Sequence, residues 1–151
     1  IINVFASTIG SLLSGWIGDS YGHKSSILLS FTSYFIALIV ALLAKNMLHV
    51  YIIFLFLGLG LGAFMPSAMN LIYKFASGGD NKIYMALTDT ALAPFTFIAI
   101  TIVGGISETI KMEIILMGIG ILLLIGILIM IFFVNDPTNM RKKQIISYNN
   151  R

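Results

Sequence analysis

The chain has 151 residues, of which 58% are hydrophobic and only 10% are charged, and its formal net charge is +3. Soluble domains carry about 25% charged residues, so this composition excludes an ordinary soluble protein and predicts an integral membrane protein. The small positive charge needs no nucleic-acid partner, because bases beside membrane spans follow from topology alone. Cysteine is absent, which excludes disulfides and thiolate metal sites, and we expect no metal and no cofactor.

Five apolar segments follow one another along the chain, and a helix of about 20 apolar residues crosses a bilayer. They cover residues 1–17, 25–44, 50–73, 83–106 and 114–134. The predicted fold is therefore all-α, a polytopic membrane bundle of about five transmembrane helices over residues 1–136. A basic tail, residues 137–151, follows the bundle.

Basic residues are distributed unequally between the two ends of these helices. One side of the membrane holds Lys24, Lys74, Lys82, Arg141, Lys142, Lys143 and Arg151, and the other side holds Lys45 and Lys111. Because short cytoplasmic loops carry the excess of Lys and Arg, the first group is predicted to be cytoplasmic, and the tail with it. We expect the plasma membrane as the location.

The stretch "GWIGDSYGHKS", residues 15–25, interrupts the first two apolar segments with glycines, an acid and a base. It resembles the signature loop of the major facilitator superfamily, G-x-x-x-D-R-x-G-R-[RK], which joins the second helix of a six-helix half to the third. Four positions match that pattern: Gly15, Asp19, Gly22 and Lys24. Ser20 and His23 stand where the family has arginine, and such a weakened copy is more usual in the second half of these proteins.

Later segments extend the resemblance over nearly the whole chain. They are "GLGLGAFMPS" at 58–67, "ALAPF" at 91–95, "GG" at 104–105 and "NDP" at 135–137. The likeness implies the last five of six helices of the carboxyl-terminal half of a secondary transporter. It further implies a small-molecule substrate, symport or antiport with H⁺ or Na⁺, and partner helices from the amino-terminal part of the same protein, all within a lipid bilayer.

In the resembled family the signature loop is a cytoplasmic latch that forms in one transport state and breaks in the other. Here Asp19 is predicted to dock on the first turn of the fourth helix, where unpaired N–H groups and the helix dipole attract a carboxylate. The alternative is that Asp19 and Lys24 are solvated charges.

Asp89 is an acid inside the fourth apolar segment, and such residues are functional candidates because their insertion into a membrane is costly. It either contacts a substrate or coupling ion, or it caps a helix that starts at Thr90 or serves packing. Pro94 removes a helical hydrogen bond in the same segment, and Pro66 does so in the preceding one. Broken helices of this kind often line transport sites. Asn70 is a weaker candidate for the same pathway.

Small residues predict close helix contacts. Gly58 and Gly62 lie one turn apart in a 24-residue uncharged segment, 50–73, which excludes a nucleotide-binding loop and favours helix packing, as do Gly104 and Gly105. A polar stripe on the first helix either packs or lines a polar pathway. Its members are Asn3, Ser7, Ser11 and Ser14.

Two other classes of function are suggested by parts of the sequence. The triplet from Gly105 to Ser107, with His49 predicted on the same side, faintly resembles an intramembrane protease motif, but no cofactor box or paired carboxylates accompany it, so we expect no enzyme. A non-transporting membrane subunit that stabilises a larger complex is the second alternative. In that role the glycine faces are docking surfaces.

Overall fold

The computed structural model of the chain describes residues 1–75 and 81–134. This part of the chain forms five α-helices: α1 (Ile2–Tyr21), α2 (His23–Leu42), α3 (Met47–Phe75), α4 (Asn81–Ile106) and α5 (Met112–Phe133). The prediction of an all-helical bundle with five helices is confirmed. The predicted basic tail, residues 137–151, lies outside the described residues.

The turn between α1 and α2 is shorter than the sequence predicts. Most of the stretch expected to be a loop is helical, and Gly22 is the single residue between the two helices. Its φ of 95° lies in a region that L side chains rarely adopt, so glycine permits the chain to reverse there. The Gly22 N–H donates to the Gly18 carbonyl at 3.1 Å, and the Ser25 N–H donates to the Gly22 carbonyl at 3.1 Å.

In the described part of the chain, four helices are long and apolar enough to cross a membrane: His23–Leu42, Met47–Tyr73, Lys82–Ile106 and Met112–Phe133. The remaining helix, α1, has 20 residues, but Asn3, Asp19 and its serines make it less apolar. The first predicted span, residues 1–17, thus has the length of a membrane helix without the hydropathy of the other four. Packing accounts for one of these polar residues, Ser14, which lies on the buried face of α1, whereas Asp19 is exposed.

The core lies between α1, α2 and α3, and it is built from small side chains. The buried residues of α1 recur every four positions: Ala6, Gly10, Ser14 and Gly18. Those of α2 include four more small residues: Ser26, Ser30, Ser33 and Ala37. Residues one turn apart share a face of a helix, so small residues at this spacing bring helix backbones together. In the described residues, α5 packs on α2, and α4 packs on α3.

The glycines of α3 show how close that approach is. A Cβ added at Gly58 meets the backbone carbonyl of Asn3, and one added at Gly62 meets that of Ser7, both on α1. Gly60 points to the other side, where an added Cβ lies 2.7 Å from the Tyr34 ring on α2. The run "GLGLG" therefore packs α3 against two helices at once. An added Cβ at Gly104 or Gly105 meets no atom within 4 Å in the described part of the chain.

Serine hydroxyls join the same three helices. Ser14 donates to the Ala63 carbonyl at 3.0 Å, and its oxygen lies 2.6 Å from the Ser67 hydroxyl. Ser26 donates to the Ser14 carbonyl at 2.9 Å, and Ser30 donates to the Gly60 carbonyl at 2.8 Å. Buried hydroxyls need such partners, because an unsatisfied polar group inside a membrane protein is costly. These bonds fix the register of α1 and α2 against α3.

Candidate functional site

A cavity of about 790 Å³ lies between α2, α3, α4 and α5. It is near the amino-terminal ends of α2 and α4 and the carboxyl-terminal ends of α3 and α5, the side that the basic residues predict to be cytoplasmic. Its volume is within the range of about 300–1,000 Å³ that is typical of ligand sites. The lining residues are Ile27, Phe31, Phe64, Met65, Ala68, Met69, Leu71, Ile72, Met85, Thr88, Asp89, Leu92, Met130, Phe133 and Val134.

Two neighbouring residues of α4 supply the polar side chains of this lining. Thr88 donates its hydroxyl to the Tyr84 carbonyl at 2.8 Å, one turn earlier in the same helix. Asp89 lines the cavity beside it, and its carboxylate has no hydrogen bond or ion pair with any described residue. The expectation that Asp89 caps a helix starting at Thr90 is wrong, because α4 begins at Asn81 and Asp89 lies in its interior.

The two prolines lie inside helices that continue past them. Pro94 is an exposed residue within α4, and Pro66 is within α3. Neither lines the large cavity, although Leu92 does, two residues before Pro94. Asn70 is exposed near the carboxyl-terminal end of α3 and is also outside the lining. The structure thus brings Asp89 to the cavity without Pro94 or Asn70.

The polar stripe of α1 is divided between two environments. Asn3 donates to the Phe54 carbonyl of α3 at 3.3 Å, and Ser14 belongs to the buried serine contacts. Ser7 and Ser11 instead line a second, open pocket of about 440 Å³ between α1 and α3, near Pro66. The hydroxyl of Ser7 donates to the Val4 carbonyl at 2.8 Å within α1.

The acid and first glycine of the signature stretch are exposed on α1. Gly15 has open space beside it in the described part of the chain, since an added Cβ meets no atom there within 4 Å. Asp19 lies in the last turn of α1 and makes no hydrogen bond or ion pair with residues 1–75 or 81–134. Within the described residues, Asp19 does not make the predicted contact with the first turn of α4.

The basic residues of the signature stretch, His23 and Lys24, contact other helices instead. His23 is buried over Gly18, where an added Cβ would lie 2.6 Å from the imidazole Nδ1. The Lys24 Nζ donates to the Ile131 carbonyl at 2.8 Å, in the last turn of α5. The last four carbonyls of a helix have no partner within it, and a cation there also interacts favourably with the helix dipole. Lys24 therefore ties the start of α2 to the end of α5, a contact that sequence reasoning missed because it joins residues 107 positions apart.

The geometry offers little to other kinds of chemistry. Among the described residues, no group of three or more His, Asp or Glu side chains is placed to hold a metal. Ser107 donates to the Gly104 carbonyl at 2.7 Å, whereas the imidazole of His49 pairs with Asn46, so the two residues of the protease motif have separate partners.

Comparison with known protein families identifies the family of this chain. The family model of the Major Facilitator Superfamily matches residues 1–148, which is nearly the whole chain. Comparisons with curated proteins and with solved structures gave no match. The match agrees with the helical bundle and with the signature stretch that ends in the α1–α2 turn. The chain belongs to the Major Facilitator Superfamily of membrane transporters.

Proposed function

We propose that this chain is part of the carboxyl-terminal half of a secondary active transporter, which moves a small solute by alternating access and is driven by an H⁺ or Na⁺ gradient. The observation that carries the proposal is the cavity between α2, α3, α4 and α5, with a carboxylate in its wall. Family membership makes transport the expected function and disfavours a purely structural subunit. Helices from the amino-terminal part of the same protein are proposed to complete the transport path.

Asp89 is the proposed contact for the coupling ion or the substrate. An acid at this depth in a membrane helix needs a partner, and the described lining of the cavity contains no lysine, arginine or histidine to provide one. In the intact transporter, Asp89→Asn is expected to lower the transport rate and to change its pH dependence. An unaltered rate and pH profile would exclude the coupling role.

The signature residues Asp19, Gly22 and Lys24 are proposed to control opening at the same side. Gly22 gives the one-residue turn, and Lys24 holds α2 to α5. Asp19 is exposed at the end of α1, so it is available to a partner in another transport state. We propose that this side is cytoplasmic, in a plasma-membrane protein whose tail is also cytoplasmic.

Site-specific labelling tests alternating access without knowledge of the substrate. This chain has no cysteine, so a single Cys at Ala68, in the cavity wall, gives no background from the rest of the chain. Its labelling by a membrane-impermeant maleimide from the cytoplasmic side is expected to change when an ion gradient is imposed. A Cys at the exposed Ala44, beyond the other end of α2, is the control and is expected to react only from outside. Constant labelling at position 68 under every gradient would refute the proposal.

A further inference from the structure

The lining of the large cavity indicates the chemical class of its ligand. Apart from Thr88 and Asp89, the described lining consists of aliphatic, methionine and phenylalanine side chains. Four of them are methionines, Met65, Met69, Met85 and Met130. Methionine is flexible and polarizable, so such a wall adapts to apolar bodies of different shape.

Aromatic rings form part of the same wall. Phe31 of α2 and Phe64 of α3 are stacked, with ring centroids 6.1 Å apart and an interplanar angle of 26°. Phe133 adds a third ring from α5. Aromatic faces attract organic cations and also pack against hydrocarbon. This wall therefore favours a ligand that has both a positive charge and an apolar body.

The one acidic or basic side chain in the described lining of the cavity is that of Asp89. Asp89 lies eight residues after Asn81, roughly 12 Å along the axis of α4, and has no charged partner among the described residues. An anionic ligand is therefore disfavoured by repulsion and desolvation. A polyhydroxylated ligand such as a sugar is disfavoured too, because two polar side chains cannot replace its hydrogen bonds with water.

We infer that this cavity binds a hydrophobic organic cation, with Asp89 as its counter-ion and the methionine and phenylalanine side chains around its apolar body. The inference rests on the proposed transport function, since it names the substrate class of the same site. Charge complementarity with a single carboxylate selects a monocation over a dication.

Binding of labelled tetraphenylphosphonium to the intact protein in nanodiscs of neutral lipid tests the inference, with empty discs subtracted. We expect saturable binding that Asp89→Asn weakens about tenfold or more, whereas Asp89→Glu keeps most of the affinity. Tetraphenylborate, which has the same shape and the opposite charge, is expected to show no saturable binding. Glu113→Gln removes an acid from the first turn of α5, away from the cavity, and is expected to leave the affinity unchanged.

Equal affinity of wild type and Asp89→Asn, or saturable binding of tetraphenylborate at the same affinity, would overturn the inference. Ala68→Phe provides a second check that keeps the Asp89 carboxylate, because it fills part of the cavity and is expected to weaken binding of the cation.

The proposed substrate class and the proposed alternating access can fail separately. If the cation does not bind while labelling at position 68 still responds to the gradient, the substrate class is wrong and transport stands. If the cation binds through Asp89 while labelling never changes, alternating access is wrong.

Discussion

Gly62→Ala tests whether the glycines of α3 set the distance between α1 and α3. In the native packing, the new Cβ would lie 2.7 Å from the carbonyl carbon and 2.8 Å from the Cα of Ser7, and ordinary contact begins at 3.4 Å. The Ser7 carbonyl oxygen lies closer still, so the helices must separate by more than about 0.7 Å, the difference between 3.4 and 2.7 Å, because the obstructing atoms are backbone and have no other rotamer. Overpacking of this kind costs about 1–3 kcal/mol.

The substitution also has a favourable term, because alanine in a helix is more stable than glycine by about 0.5–1 kcal/mol. Since the overlap is with backbone, we expect the upper part of the packing cost and a net destabilisation of about 2 kcal/mol. Equilibrium unfolding of the intact protein in mixed micelles, with increasing SDS, measures this change.

Gly104→Ala is the matched control, since an added Cβ there meets no atom within 4 Å in the described chain. We expect it to be neutral or stabilising by up to about 1 kcal/mol. If Gly62→Ala is as stable as Gly104→Ala, the close approach of α1 and α3 does not depend on glycine, and the packing argument is refuted.

Three further predictions concern the contacts between helices. Lys24→Met is expected to destabilise the bundle by about 0.3–1 kcal/mol through loss of the Ile131 contact, while Lys24→Arg retains most of it; SDS unfolding separates the two, and equal losses would contradict the capping role. A double-mutant cycle of Ser14→Ala and Ser67→Ala is expected to give a coupling energy of about 0.6 kcal/mol, and strict additivity would show that their contact contributes nothing. Asp19→Asn is expected to shift labelling of the single Cys at position 68 toward the cytoplasmic side, and unchanged labelling would exclude the latch.

The candidate site was only partly predictable from the sequence. Asp89 was recognisable as an acid within an apolar segment, but its alternative role as a helix cap depended on a helix boundary that hydropathy does not define. The cavity was not predictable, because its lining comes from four helices and its apolar residues look like any membrane segment. The spacing of Ala6, Gly10, Ser14 and Gly18 was a signal for the buried face of α1, although polarity alone pointed to the neighbouring stripe.

The sequence by itself determined the membrane environment and the number of helices, because these depend on composition and order along the chain. Its basic residues predict the sidedness. It also carried the signature residues that identify the family. The tertiary structure decided which small residues touch, that Gly22 alone turns α1 into α2, and that Lys24 meets α5. The contacts of the small residues and of Lys24 join positions distant in the chain, and their partners depend on how the helices are rotated and paired. Local patterns do not encode that rotation in full, because α1, for example, carries one serine on its buried face, Ser14, and another on an exposed face, Ser11.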